Sequence, residues 1–229
     1  REHGAGLDYR TNLYYLYTDD NGGTWRTADG KARDVPLRTI ANPALVHDYA
    51  SEGLKVYIND LNYDKQGHPV ILYETTKGWE PGPQNGPRQW YTARWTGSAW
   101  EILRFTTSDN NYDMGSLYIQ PDGSWEVIAP TDPGPQAYNT GGSLVLWSSS
   151  DQGHHWTRVR DMTPGCTRNQ SYPRRPVDAN PDFYAFWADG NGRQPSESHL
   201  YFSNKQGSVF ELPYKMTTET AKPQEVFVH

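Results

Sequence analysis

The sequence predicts an all-β fold, a β-propeller of four-stranded antiparallel blades, and three observations predict it. Aromatic hairpins recur, with Trp95, Trp147 and Tyr201 spaced 52 and 54 residues apart. Two segments share the pattern Ser/Thr-x-Asp-x-Gly-x-x-Trp. No segment carries apolar residues at helical spacing over a useful length. Four short strands in a unit of roughly fifty residues are the sequence mark of a propeller blade.

Taken in order, residues 12–25 read as the outer hairpin of a first, partial blade, which turns through Thr18-Asp19-Asp20-Asn21-Gly22-Gly23-Thr24-Trp25. In this Asp-box pattern the Asp accepts backbone N–H groups across the turn, a Gly takes positive φ, and the Trp packs beneath the hairpin. Residues 55–58, 70–74, 91–95 and 99–103 supply the four strands of the next blade. The following blade uses 115–119, 125–129, 144–147 and 156–159, and its outer hairpin turns through Ser149-Ser150-Asp151-Gln152-Gly153-His154-His155-Trp156. The last blade is read at 176–177, 183–187, 199–202 and 209–212, with residues 226–228 completing an outer hairpin. Pro-Gly-Pro loops at 78–87 and 132–139 occupy equivalent places between second and third strands, and their stiffness marks them as ordered excursions. The expectation is one propeller domain over residues 1–229, with three full blades and a partial one. A closed ring normally needs more, so an N-terminal segment or a second chain is expected to complete it.

Composition narrows the partners. A net charge of −6 excludes the broad basic face that nucleic acid requires. No apolar run approaches the roughly 18 residues of a membrane span, so no membrane partner is expected. The single cysteine, Cys166, excludes an internal disulfide. Nine Trp and sixteen Tyr supply buried faces with polar handles and platforms for sugar rings.

The stretch Asn169-Gln170-Ser171-Tyr172-Pro173-Arg174-Arg175-Pro176 sets two guanidinium groups and a phenol between prolines, just before the apolar run Phe183-Tyr184-Ala185-Phe186-Trp187. Such an arrangement suits one wall of a site for an acidic sugar, because guanidinium binds carboxylate through paired hydrogen bonds. Strand alternation directs only one of Arg174 and Arg175 into a common pocket. The segments Asp60-Leu61-Asn62 and Asn111-Tyr112-Asp113 recur at corresponding places in the two preceding repeats, which suggests that they line the same pocket. Asp48 stands beside His47 and would raise its basicity for proton transfer. No His pair shows a metal-ligand spacing tied to a motif, so no metal site is read from the residues.

The Asp-box turns, Gly6-Leu7-Asp8-Tyr9-Arg10-Thr11-Asn12, Asn59-Asp60-Leu61-Asn62-Tyr63-Asp64, Asn111-Tyr112-Asp113-Met114-Gly115, Tyr172-Pro173-Arg174-Arg175-Pro176 and Phe183-Tyr184-Ala185-Phe186-Trp187-Ala188-Asp189-Gly190-Asn191 together resemble the BNR-repeat (type 4) proteins. These are similar to seven-bladed propeller polysaccharide lyases and related glycosidases of rhamnose–uronate polymers, the ulvan lyases among them. The resemblance implies a secreted or periplasmic enzyme that cleaves an anionic polysaccharide by β-elimination. It further implies Tyr172 and Tyr9 as candidates for proton transfer, beside His47 read from the residues alone, and Arg174, Arg175 and Arg10 for the substrate carboxylate. Asn111, Tyr112, Asp113, Asp60 and Asn62 would line the pocket. No cofactor is implied, although the family allows a structural divalent metal. A hydrolase that removes rhamnose from glucuronate, a sialidase-like hydrolase and a non-catalytic sugar-binding propeller are the alternatives; the last is favoured by the lack of His in the motif stretches.

Overall fold

A computed structural model describes residues 10–228. Short strands β1 (Leu13–Tyr14), β2 (Trp25–Arg26), β3 (Ala32–Arg33) and β4 (Leu45–His47) form the first unit. Strand β1 pairs with β4, and β2 with β3. The hairpin expected over residues 12–25 forms, with Tyr17 opposite Arg26 and backbone hydrogen bonds both ways at 2.9 and 2.8 Å, while Leu13 also lies opposite His47 and Trp25 opposite Arg33.

Three meanders follow. The first is a four-stranded sheet of β5 (Lys55–Tyr63), β6 (Pro69–Thr76), β7 (Arg88–Trp95) and β8 (Trp100–Ser108). The second runs through β9 (Ser116–Ile119), β10 (Trp125–Pro133), β11 (Gly142–Ser149) and β12 (Thr157–Asp161). The third comprises β13 (Asn169–Arg174), β14 (Ala185–Gly190), β15 (Leu200–Ser203) and β16 (Val209–Glu211), and β17 (Gln224–Val226) adds to its edge. One pair, Gly142 opposite Gln170, joins the second and third meanders into a nine-stranded sheet. No sheet among the described residues closes on itself, and no helix among them is long and apolar enough to cross a membrane.

The meanders pack face to face, which buries the stripe that alternation puts on each side. Leu13, Tyr15, Val46, Val56, Ile71, Tyr73 and Ala93 fill the first layer. Val70, Leu72 and Trp90 meet Leu117, Trp125 and Val127 in the second. Tyr118, Ile128, Leu144 and Leu146 meet Tyr184, Trp187 and Tyr201 in the third. Trp90 donates to Ser108 Oγ at 2.9 Å and Trp187 to Gln170 Oε1 at 2.8 Å, so these two buried indoles keep partners for their N–H groups.

The turns at 18–25 and 149–156 share one geometry. Thr18 and Ser149 hydroxyls accept from Gly22 and Gly153 N–H, both at 2.9 Å, while Asp20 and Asp151 accept from Thr24 and His155 N–H at 2.8 and 2.9 Å. Those bonds hold the Asp20 carboxyl down to about 2.

The inner strand of the third meander is not at residues 176–177, where Val177 is exposed, but at β13. Its polar residues conceal it in the sequence. Asn169 and Gln170 are each 1% exposed and spend their amides inside the fold rather than in water.

Candidate functional site

Backbone irregularity on two inner strands creates the site. Between Ser171 and Arg174 the β13–β14 register shifts, and two residues of β13 face one of β14. Pro173 has no N–H to give the ladder, and Tyr172 sits in the left-handed region at φ 57°. For a bulky aromatic residue that conformation costs of order 1–3 kcal/mol and signals a side chain re-aimed by its surroundings. Tyr172 is 42% exposed. On β5 a matching shift between Ile58 and Asp60 makes Asn59 the extra residue. The bulge turns the Asn59 carbonyl toward the third meander, where Arg174 Nη1 donates to it at 3.0 Å. Asn59 Oδ1 in turn accepts from Gly115 N–H at 3.3 Å, at the end of the segment that carries Tyr112.

Arg10 completes the cluster. Its guanidinium carbon lies 4.9 Å from the Tyr57 ring centre and 5.8 Å from that of Tyr112, and these two rings meet edge to face at 5.4 Å. Burial pushes the Tyr172 phenol up; Asp113 adds to the rise, while Arg174 and Arg10 pull against it. The result is a protonated phenol at neutral pH with two guanidinium groups in its electrostatic neighbourhood.

The other expected residues separate from this centre or support it. Tyr9 lies outside the described residues. His47 Nε2 meets Glu52 Oε1 at 2.5 Å and its ring lies 4.3 Å from that of Tyr49, away from the Tyr172 contacts. Arg175, which follows the end of β13, reaches the residue of β5 after Asn59 instead, its Nε 3.7 Å from Asp60 Oδ2. Asp60 also accepts from Leu117 N–H at 2.8 Å and Asn62 donates to the Leu117 carbonyl at 3.0 Å, so both stitch β5 to β9. Asn62 and Arg175 border a cleft of about 220 Å³ with Tyr118 and Tyr184. Asn111 is buried beside the centre. Asp113, expected to touch substrate, is instead enclosed and accepts from Asn110 and Gly141 N–H at 2.8 and 2.7 Å, which fixes the loops on either side of Tyr112.

Behind the centre lies a buried acid that sequence patterning did not single out. One Glu74 oxygen is 3.5 Å from Ser108 Oγ, and the other has no hydrogen-bond partner. Burial first, then Asp113, raises the Glu74 carboxyl well above its usual range, against the opposing charge of Arg88. Asp113 is likewise raised, by burial and then Asp109, with the Asn110 and Gly141 N–H donors pulling against that rise. A carboxyl raised in the folded state holds its proton more tightly than the unfolded chain does. The stability it contributes is complete below the ordinary value of 4.5 and is lost as pH climbs toward the folded value. Glu74→Gln keeps the shape and removes the titration. The variant is expected to unfold at a higher temperature than the parent at neutral pH and to lose that advantage in acid; an unchanged pH profile in thermal melts would refute the assignment.

Tyr57 and Asn59 are the site residues that sequence reasoning passed over. A signal existed: Tyr57, Tyr112 and Tyr172 stand 55 and 60 residues apart, close to the repeat length. Among the described residues no three His, Cys, Asp or Glu side chains come together as a metal site.

No curated protein matches the chain. The model of the BNR repeat-containing family matches residues 1–108, so the resemblance holds over that part. A structure of the PL25 ulvan lyase, a polysaccharide lyase, matches with a TM-score of 0.65 at 19% identity, covering 86% of this chain and 43% of the lyase. A second structure of PL25 ulvan lyase, bound to -[GlcA(1-4)Rha3S]-, matches equally. The polysaccharide lyase Uly1 matches with a TM-score of 0.52 at 16% identity, covering 85% of this chain and 39% of that protein. The chain therefore shares an all-β fold with these lyases and spans less than half of their length.

Proposed function

We propose that the Tyr172 centre binds an anionic polysaccharide of uronate and rhamnose units and cleaves it by β-elimination, on a propeller ring completed by blades beyond the described residues. The observation that carries this reading is a strained, half-exposed phenol held within the field of Arg174 and Arg10. A proton α to a carboxylate is a very weak acid until the carboxylate charge is offset, and guanidinium groups supply that offset. The α-proton then leaves to a base, and its electron pair becomes the double bond. The β C–O bond breaks, and the departing oxygen takes the phenolic proton of Tyr172. Tyr9, which precedes Arg10 in the chain, is the residue proposed to receive the α-proton. Support for the substrate class comes from the sugar bound to the ulvan lyase of similar fold. A polymer of this kind would be met by a secreted or periplasmic enzyme, which is the location that goes with this proposal.

Hydrolysis is the second reading, and one observation favours it. Tyr184 Oη donates to Glu126 Oε2 at 2.7 Å, which is the Tyr–Glu pairing a retaining hydrolase of the sialidase type would use. Tyr184, however, is 4% exposed and its hydroxyl is also engaged by Gln120, which argues for a structural brace. Incubation with ulvan-type polysaccharide separates the readings. Elimination is expected to raise the ultraviolet absorbance of the unsaturated uronate. New reducing ends without that absorbance would mean hydrolysis, and binding with neither would mean a sugar-binding propeller.

A further inference from the structure

The two Pro-Gly-Pro loops singled out in the sequence frame a cleft of about 260 Å³ beside the Tyr172 centre, bordered by Trp79, Asn111, Tyr112, Thr140 and Arg193. Its walls are held in place. On one side Arg88, fully buried, donates to the Glu80 and Gly82 carbonyls at 3.0 and 3.2 Å, and Thr76 Oγ1 donates to the Gly78 carbonyl at 2.8 Å. These bonds fix a loop whose Trp79 is nonetheless 45% exposed. An indole left in water on a rigid loop is a preformed flat face with little ordering cost on binding. On the other side Asn139 donates to Asn191 Oδ1 at 2.7 Å, and the same oxygen accepts from Arg193 N–H at 3.0 Å. Arg193 also donates to the Tyr138 carbonyl, an anchor that takes part of a five-donor fork.

We propose that this cleft is a second saccharide subsite, which takes a pyranose bearing a carboxylate or a sulfate ester, with Trp79 against the ring face and Arg193 on the anion. The proposal rests on the anionic-polysaccharide reading of the Tyr172 centre and extends it. Tyr112 belongs to both sites, with its ring against Arg10 and Tyr57 on one side and on the border of the cleft on the other, so neighbouring units of one polymer would occupy the two.

The test is calorimetric titration of the chain and of its Trp79→Ala and Arg193→Gln variants with uronate–rhamnose oligosaccharides of increasing length, sulfated and desulfated. Each substitution is expected to weaken binding of the longer oligosaccharides roughly tenfold, the scale of one lost aromatic or charged contact, and to leave the shortest unaffected. If the Arg193→Gln effect persists after desulfation, the anion is the carboxylate; if it vanishes, the anion is the sulfate. Equal binding by parent and variants at every length would overturn the subsite and leave the Tyr172 reading standing. Failure of the parent chain to bind any of the oligosaccharides would overturn both.

Discussion

Tyr172→Phe is expected to reduce turnover of an anionic polysaccharide by about 100-fold or more, the range a positioned general acid contributes, with little change in KM or in the thermal unfolding midpoint. The expectation follows from where the hydroxyl is and what it lacks. No hydrogen bond from Tyr172 Oη to another described residue holds the fold together, so its loss removes chemistry rather than structure. The Phe ring keeps the shape of the bulge, and the left-handed backbone at φ 57° is no harder for Phe than for Tyr. Arg174 remains bonded to the Asn59 carbonyl, so the carboxylate grip that would set KM is untouched. Turnover that survives the change would remove Tyr172 from proton transfer. A large fall in the unfolding midpoint would mean that the phenol is a structural brace, and a rise in KM alone would make it a binding residue.

How far this centre could be read from the sequence depends on which physical signals the chain carries locally. Strands such as β6, β7 and β10 alternate or run apolar over whole elements, and their aromatic residues face one another across the layers, so their positions were legible. The turns at 18–25 and 149–156 were legible too, because a Ser or Thr, an Asp and a Gly at fixed spacing satisfy the backbone within a few residues. Strand β13 was not, since a strand that opens with Asn and Gln resembles a loop until the partners of those amides are known. Tyr172 could be nominated from its neighbours Arg174 and Pro173, yet its bulge arises from pairing with β14, which no local pattern announces. The same holds for Asn59, whose role comes from a carbonyl exposed by a register shift. Asp113 was misjudged as a pocket residue for a related reason: a short acidic side chain after Asn-Tyr suits a ligand contact or a loop clasp equally, and only the positions of the Asn110 and Gly141 N–H groups decide it. Glu74 and Arg88 had no sequence signature, because long-range burial alone makes them unusual.

Asn169→Ala is expected to be the most destabilising of the substitutions considered, by about 3 kcal/mol, because it leaves several buried polar groups without partners at once. The Asn169 Nδ2 group lies 2.9 to 3.4 Å from the carbonyls of Gln136, Asn139, Thr140 and Gly141, while Oδ1 accepts from Gln136 N–H at 3.0 Å. One side chain thereby satisfies the inner face of the second Pro-Gly-Pro loop. The loop is shaped around it: a Cβ on Gly134 would stand 2.2 Å from Asn169 Oδ1, and one on Gly142 would stand 2.1 Å from the Asp132 carbonyl. With Asn169 1% exposed, the polar groups uncovered by truncation gain no ready access to bulk water. At roughly 2–4 °C per kcal/mol for a domain of this size, the midpoint should fall by about 6–12 °C. Asn169→Asp sharpens the test. It retains the acceptor but replaces the donor with a second oxygen that faces carbonyl groups, so it should be no better tolerated than Ala. If Asp were tolerated and Ala were not, the acceptor bond to Gln136 N–H would be the important contact. A shift below about 1 kcal/mol in both variants would mean that the loop finds other partners. Because Gly141 also donates to Asp113, which fixes the turn before Tyr112, loosening the loop should weaken oligosaccharide binding below the unfolding transition as well.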